Sequence, residues 1–398
     1  MTLRLRHPIL IAVLFAPLAL AAEPAVSAPL PPASARVADE RARLDRLCDQ
    51  VVAAFDSARG GFVDRSGAPS ESAVELALAL GHEGAGAGWR RRALTTVDWT
   101  GSLMDTVSGG FVTRTSRSTA EGAAFDMRTD VNSRRLSILI ASWKETGDER
   151  YLREAGRVAG FMDRVLIDGR GGFVSAPVGD RDLEPAANGV AIRAWLAWAA
   201  ADGDPRKRDF ALRSIERVWE TSFDKLGVLL RKNNVGEVMM WPQLADQVEM
   251  GRALVYAWRL CHRERDLERA RGIGQVLIAK FEDPEHRGFM TQARPKKDGT
   301  IRNAPCDPEE NAKAALFMAE LSAATGDAGF HEAGRRALAA FEKQLAKQKS
   351  GFLAADWALA QRALLAPEVP EPPAWRAAAV EPPAQPRVII FKPRRAGR

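Results

Sequence analysis

Asp130 and Asp246 each stand in the opening turn of a strongly apolar helical segment, in RTDVNSRR (128–135) and WPQLADQVEMGR (241–252). Inverting glycoside hydrolysis needs such a pair, one acid and one base, roughly 6.5–9.5 Å apart across a bound sugar. Asp130 and Asp246 are therefore the candidate catalytic residues, with Asp105 and Asp126 in reserve. The acid must carry a raised pKa, which apolar surroundings supply. Trp241, in a loop just before Pro242, could provide them beside Asp246 or stack on a sugar face. The other polar residues at helix starts are Asn132, Asn188, Gln247, Glu310 and Asn311. Side chains of these types cap orphan N–H groups and suit the helix dipole. Their recurrence around a shared rim also makes them candidate substrate contacts. Arg134, Arg193 and Arg252 each fall inside an otherwise apolar helix, where an arginine needs a partner. Either they pair with carboxylates, or, as expected for Arg193, they bind a ligand such as an acidic sugar.

Other chemistries leave no trace. There is no Ser-His-Asp grouping, phosphate-binding loop, dinucleotide fingerprint or metal-ligand cluster, so no cofactor and no metal is implied. The three cysteines, Cys48, Cys261 and Cys306, are widely spaced and form no redox or zinc motif. Of the formal +6, the first 35 residues hold +1 and residues 367–398 hold +3, leaving +2 for the body. That is too weak a charge to argue for nucleic acid.

The elements that would position these groups are marked by a repeat. Gly60-Gly61-Phe62, Gly109-Gly110-Phe111, Gly171-Gly172-Phe173, Gly288-Phe289 and Gly351-Phe352 recur, with Gly227-Val228 filling the wide gap. The intervals are 49, 62, 55, 61 and 63 residues, each long enough for two helices and their connections. LSILIASWKET (136–146) has helical periodicity and stops at Gly147-Asp148, after which RYLREAGRVAGFMDRVLI (150–167) is amphipathic. The same alternation returns over 190–223, 250–283 and 312–345. A helix apolar nearly all round must be buried, and one with a single apolar stripe can cover it. Six such hairpins predict an all-α fold, an (α/α)6 toroid with its inner helices starting at one mouth, in preference to an open solenoid.

On these stretches the chain resembles a known family. FDSARGGFVDRSGAPSESAVELAL (55–78), LMDTVSGGFVTRTS (103–116), FDMRTDVNSRRLSILIASWKETGDERYL (125–152), GGFVSAPVGD (171–180) and residues 304–327 are similar to segments of the spermatogenesis-associated thioredoxin-like proteins. Those proteins join a thioredoxin-like domain to a six-hairpin, glycosidase-like toroid. The resemblance covers residues 45–365 and implies that toroid and a carbohydrate-active ancestry. The thioredoxin-like domain is missing, and Ala124 replaces the family's His. The N-acylglucosamine and cellobiose 2-epimerases share the repeat but use paired His, and His82, His262, His286 and His331 form no pair on inner helices.

The expected organisation is a signal peptide over 1–22, a linker over 23–35, the toroid over 36–366 and a Pro-rich basic tail over 367–398. Arg4 and Arg6, the short apolar run Ile9 to Leu20 and the small residues Ala19-Leu20-Ala21 compose the signal. The apolar run is too short, and too broken by Pro17, for a good spanning helix. The expected protein is thus periplasmic or secreted, binding or hydrolysing a small-molecule or oligosaccharide ligand in the central cavity. The rival is a non-catalytic binding or scaffold protein that keeps the ring without the chemistry.

Overall fold

The computed structural model describes residues 33–64, 68–82, 86–112, 127–177, 182–233, 236–295, 301–302, 304–347 and 351–365. The expected signal peptide, most of the linker, the basic tail and Asp126 lie outside the described residues.

The helices run α1 (Ala33–Ala53), α2 (Glu71–His82), α3 (Ala87–Thr100), α4 (Thr129–Thr146), α5 (Glu149–Phe161), α6 (Pro185–Asp202) and α7 (Pro205–Ser222). They continue as α8 (Leu244–Cys261), α9 (Glu264–Val276), α10 (Pro308–Thr325), α11 (Ala328–Ala339), the short α12 (Glu342–Lys347) and α13 (Leu353–Leu365). A two-residue ladder, β1 (Arg294–Pro295) with β2 (Ile301–Arg302), decorates the connection before α10. Helices α2, α4, α6, α8, α10 and α13 form an inner ring in which each packs on the next and α13 returns to α2. Helices α3, α5, α7, α9 and α11 each cover the inner helix that precedes them. The sixth hairpin is made from both chain ends, because α1 packs on α13. The fold is a closed (α/α)6 toroid.

Local chemistry explains each hairpin. Inner helices α4, α6 and α10 end on Gly147, Gly203 and Gly326, all at left-handed φ of 70–75°, where glycine bears no Cβ penalty. The next residue, Asp148, Asp204 or Asp327, caps the outer helix by accepting a main-chain N–H. In the fourth hairpin His262 takes the glycine's place, at φ 52°. Two inner helices approach so closely that a Cβ on Gly189 of α6 would lie 2.4 Å from the Glu249 carbonyl of α8.

Outer helices run into a recurrent mini-hairpin. Asp56 bridges Gly61 beside Phe62, Met104 bridges Phe111, Ile167 bridges Phe173, Phe223 bridges Leu229 and Glu282 bridges Phe289. In the fourth copy the aromatic position is taken by Leu229, one residue beyond the Val228 that the repeat spacing marks. The carboxylates of Asp105, Asp168 and Asp283 open their turns and accept main-chain N–H groups, as Asp105 does from Val107 and Ser108. Asp105, held in reserve as an acid, is thereby committed to a turn, and hydrogen bonding from the Ser108 side chain, then from the main-chain N–H groups, keeps its carboxyl below the usual range.

Candidate functional site

The mini-hairpins all lie at the end of the ring where inner helices begin, and the recurrent amides of those helices fasten them. Asn132 accepts the Phe111 N–H at 2.7 Å and donates to the Phe111 carbonyl at 3.2 Å. Asn188 does the same to Phe173 at 2.7 and 2.8 Å, and Asn311 to Phe289 at 2.6 and 2.8 Å. Gln247 serves Leu229 at 2.9 and 2.8 Å. Each amide also donates to the carbonyl four residues back in its own helix. All four residues are fully buried, and a buried amide with both ends engaged has nothing left for a ligand. The structure therefore does not bring Asn132, Asn188, Gln247 and Asn311 to the cavity as substrate contacts. They clamp the loops that shape its rim.

Inside that rim is a cavity of about 450 Å3, lined by Asp130, Arg134, Glu184, Arg231, Glu249, Glu309, Glu310 and Lys313 among others. Most of its charges are paired. Asp130 accepts from Arg128 Nε at 3.1 Å, Lys313 reaches Glu309 at 2.5 Å, and Arg231 meets Glu184 at 3.2 Å. Glu310 is different. Its main-chain N–H caps onto Asp307 at 2.9 Å, but its Oε2 is buried with no hydrogen-bond partner. Burial, with the nearby Asp307 carboxylate, pushes the Glu310 carboxyl up to about 7. Glu310 belongs to α10 and Asp130 to α4, the fifth and second inner helices, so they stand across the ring from each other.

Asp246 is not a free acid at this mouth. It is fully buried, accepts the Ala186 N–H at 3.0 Å, and takes Arg231 Nε at 2.9 Å on Oδ2. Burial raises its carboxyl above the ordinary value despite Arg231. It holds Arg231, which faces the cavity in its place. Trp241 is half exposed on the loop before α8, where it continues an exposed apolar run with Val238, Met239 and Met240.

Across the ring axis, between this cavity and the opposite end, lies a charged floor. Glu249 receives Arg193 and, at 3.5 Å, Arg134. Arg252 forms a two-bond pair with Glu320 at 2.9 and 3.0 Å. These arginines hold Glu249 down at about 2 against the effect of its burial. Arg193 consequently does not join Asp130 and Glu310. It lines a separate cavity on the far side, whereas Arg134 lines both.

Sequence reasoning missed Arg231 and Glu249. Glu249 carried a usable signal, an acid inside the apolar stretch of α8 at helical spacing from Arg252. Arg231 carried none, since its loop position says nothing about Asp246.

No protein family profile matches the sequence, and no curated protein matches it. Solved structures do match the fold. A D-mannose isomerase superposes with a TM-score of 0.65 at 13% identity, over 81% of this chain and 97% of that one. An unsaturated glucuronyl hydrolase specific for heparin gives 0.63 at 12%, over 82% and 96%. A family 76 α-mannanase from Bacteroides thetaiotaomicron gives 0.63 at 13%, over 81% and 95%. By fold, this chain is similar to six-hairpin, glycosidase-like toroids.

Proposed function

We propose that the protein hydrolyses a glycosidic bond at the mouth where its inner helices begin. Glu310 is the general acid and Asp130 the opposed base. The observation that carries this is the Glu310 carboxyl, buried in a lined cavity with an unpartnered oxygen and pushed up to about 7. A carboxyl that keeps its proton near neutrality can donate it to a leaving oxygen. Glu310 protonates the glycosidic oxygen as the bond from the anomeric carbon breaks. Asp130 takes a proton from the water whose oxygen bonds that carbon. Asp246 positions Arg231, and the exposed Trp241 offers an apolar face to the sugar ring.

The similar mannose isomerase, glucuronyl hydrolase and mannanase support a sugar as the substrate class. Among the described residues lining this cavity there is no histidine, which favours hydrolysis over His-dependent epimerisation. The motif resemblance to the spermatogenesis-associated thioredoxin-like family supports the same toroid ancestry. The composition of residues 1–22 supports export to the periplasm or beyond, which cell fractionation and N-terminal sequencing of the mature chain test.

A binding-only ring is the second reading, favoured by the Arg128 contact that occupies Asp130. Incubating the purified chain with α-mannan, β-glucan and uronate oligosaccharides, followed by product analysis, separates the two. Hydrolysis expects turnover that falls by about 10²-fold or more in both Glu310→Gln and Asp130→Asn. Binding without products across the panel would favour the second reading, and turnover indifferent to both substitutions would remove these residues from the site.

A further inference from the structure

We propose that the bore of the ring, on the side where the inner helices end, is a second ligand site for a small organic anion, an apolar body bearing one carboxylate or phosphate. The bore holds a cavity of about 520 Å3, within the range of small-molecule pockets. Its floor is the charged layer already described, and the charges there do not balance. Three guanidinium groups, Arg134, Arg193 and Arg252, converge from three successive inner helices onto two carboxylates, Glu249 and Glu320. Arg193 Nε is buried without a partner. Desolvation, then repulsion from Arg252, lowers the Arg193 pKa, the direction expected where a cation lacks sufficient counter-charge.

The walls do not cancel this surplus. Glu71 is held at 3.2 Å by Arg135, and Glu145 at 3.2 Å by Arg90. Neither arginine is among the residues lining the bore. Lys144 adds a cation to the wall, against Glu75. The helix C-termini themselves disfavour an anion at the rim. The three arginines lie at least two turns from those ends, so the charged head goes to the floor. Leu78, Ile138, Ala141 and Ala197 face the same space and would cover an apolar body, with Tyr256 beside them.

The chain has two tyrosines. Tyr256 lines the bore and Tyr151 is buried on outer helix α5, so a fluorotyrosine-labelled protein reports on the site directly. Phenyl phosphate, benzoate and neutral benzyl alcohol are titrated into the full chain, with 19F spectra and calorimetry. At least one anion is expected to move the Tyr256 resonance and spare Tyr151, binding about tenfold or more tightly than the alcohol. Which anion binds better assigns the head group. Arg193→Gln should weaken that anion by about tenfold. Lys144→Ala, on the exposed wall, should weaken it by about threefold and remains available if the first variant fails to fold. An unmoved Tyr256 at about 10 mM anion, equal binding of the alcohol, or affinity unchanged in the folded variants would overturn the proposal. No turnover enters the readout, so the result stands apart from the chemistry proposed at the other mouth.

Discussion

Replacing Asn188 by alanine removes the clamp on Phe173 together with the amide's bond to the Glu184 carbonyl. Asn188 and Phe173 are both fully buried, and the amide accepts the Phe173 N–H at 2.7 Å while donating to its carbonyl at 2.8 Å. Among the described residues neither main-chain group has another partner, so Asn188→Ala leaves one donor and one acceptor dry and unmade. At roughly 1–3 kcal/mol each, the loss is about 2–6 kcal/mol. For a body of this size that corresponds to a fall in Tm of about 3–8 °C. Denaturant titration measures the loss, and hydrogen exchange at the Phe173 amide locates it. Asn188→Asp sharpens the test because it keeps the shape and the acceptor but turns a carboxylate toward the Phe173 and Glu184 carbonyls. The folded state then holds that proton more tightly than the unfolded chain does, so the folded pKa is raised. Stability of this variant is therefore greatest below the unfolded carboxyl pKa of about 3.9 and is lost as pH rises through the folded value. A cost under about 0.5 kcal/mol for Asn188→Ala, with the Phe173 amide still protected, would refute the clamp.

Three further outcomes follow from the packing and charge of the ring. Gly189→Ala places a Cβ 2.4 Å from the Glu249 carbonyl, where main chain must move. It should cost about 3 kcal/mol in denaturant unfolding. Arg231→Leu strands the fully buried Asp246 and should cost about 3–5 kcal/mol, with part of it restored by adding Asp246→Asn. Glu310 is raised from 4.5 to about 7, so its contribution is complete below pH about 4.5 and disappears as pH rises through 7. Glu310→Gln should flatten the pH dependence of stability over that window, leaving the lower-pH share from Asp356, itself raised to about 6.

The repeat was legible because its punctuation is local. Gly147-Asp148 and Gly326-Asp327 stop one helix and cap the next through bonds that span a few residues, and the Gly-Phe marks fall at one end of every hairpin. The sixth hairpin is marked as well, by Gly60-Gly61-Phe62 after α1, but its pairing of α1 with α13 spans the whole chain and no local signal announces it. The fourth copy shows how register escapes a spacing argument: Gln247, one helical turn into α8, selects Leu229 rather than Val228. The amides posed a different problem. Asn132, Asn188 and Asn311 look the same in sequence whether they face a sugar or a loop, and a phenylalanine 15–22 residues upstream decides between the two. Glu310 stood out only once packing had taken every partner from its Oε2. Likewise Asp246 and Asp130 were equivalent helix-start acids until Arg231, from a loop, claimed one of them.

The claim on which the functional reading rests is that Glu310 carries a proton at neutral pH in the cavity opposite Asp130. A carbon-detected titration of glutamate-labelled protein tests it directly. One carboxyl should titrate near pH 7, vanish in Glu310→Gln and respond to an oligosaccharide that fills the mouth. If the resonance lost in Glu310→Gln instead titrates between about pH 4 and 5, like a solvated glutamate, the ring has no general acid at that mouth and the hydrolytic account is contradicted.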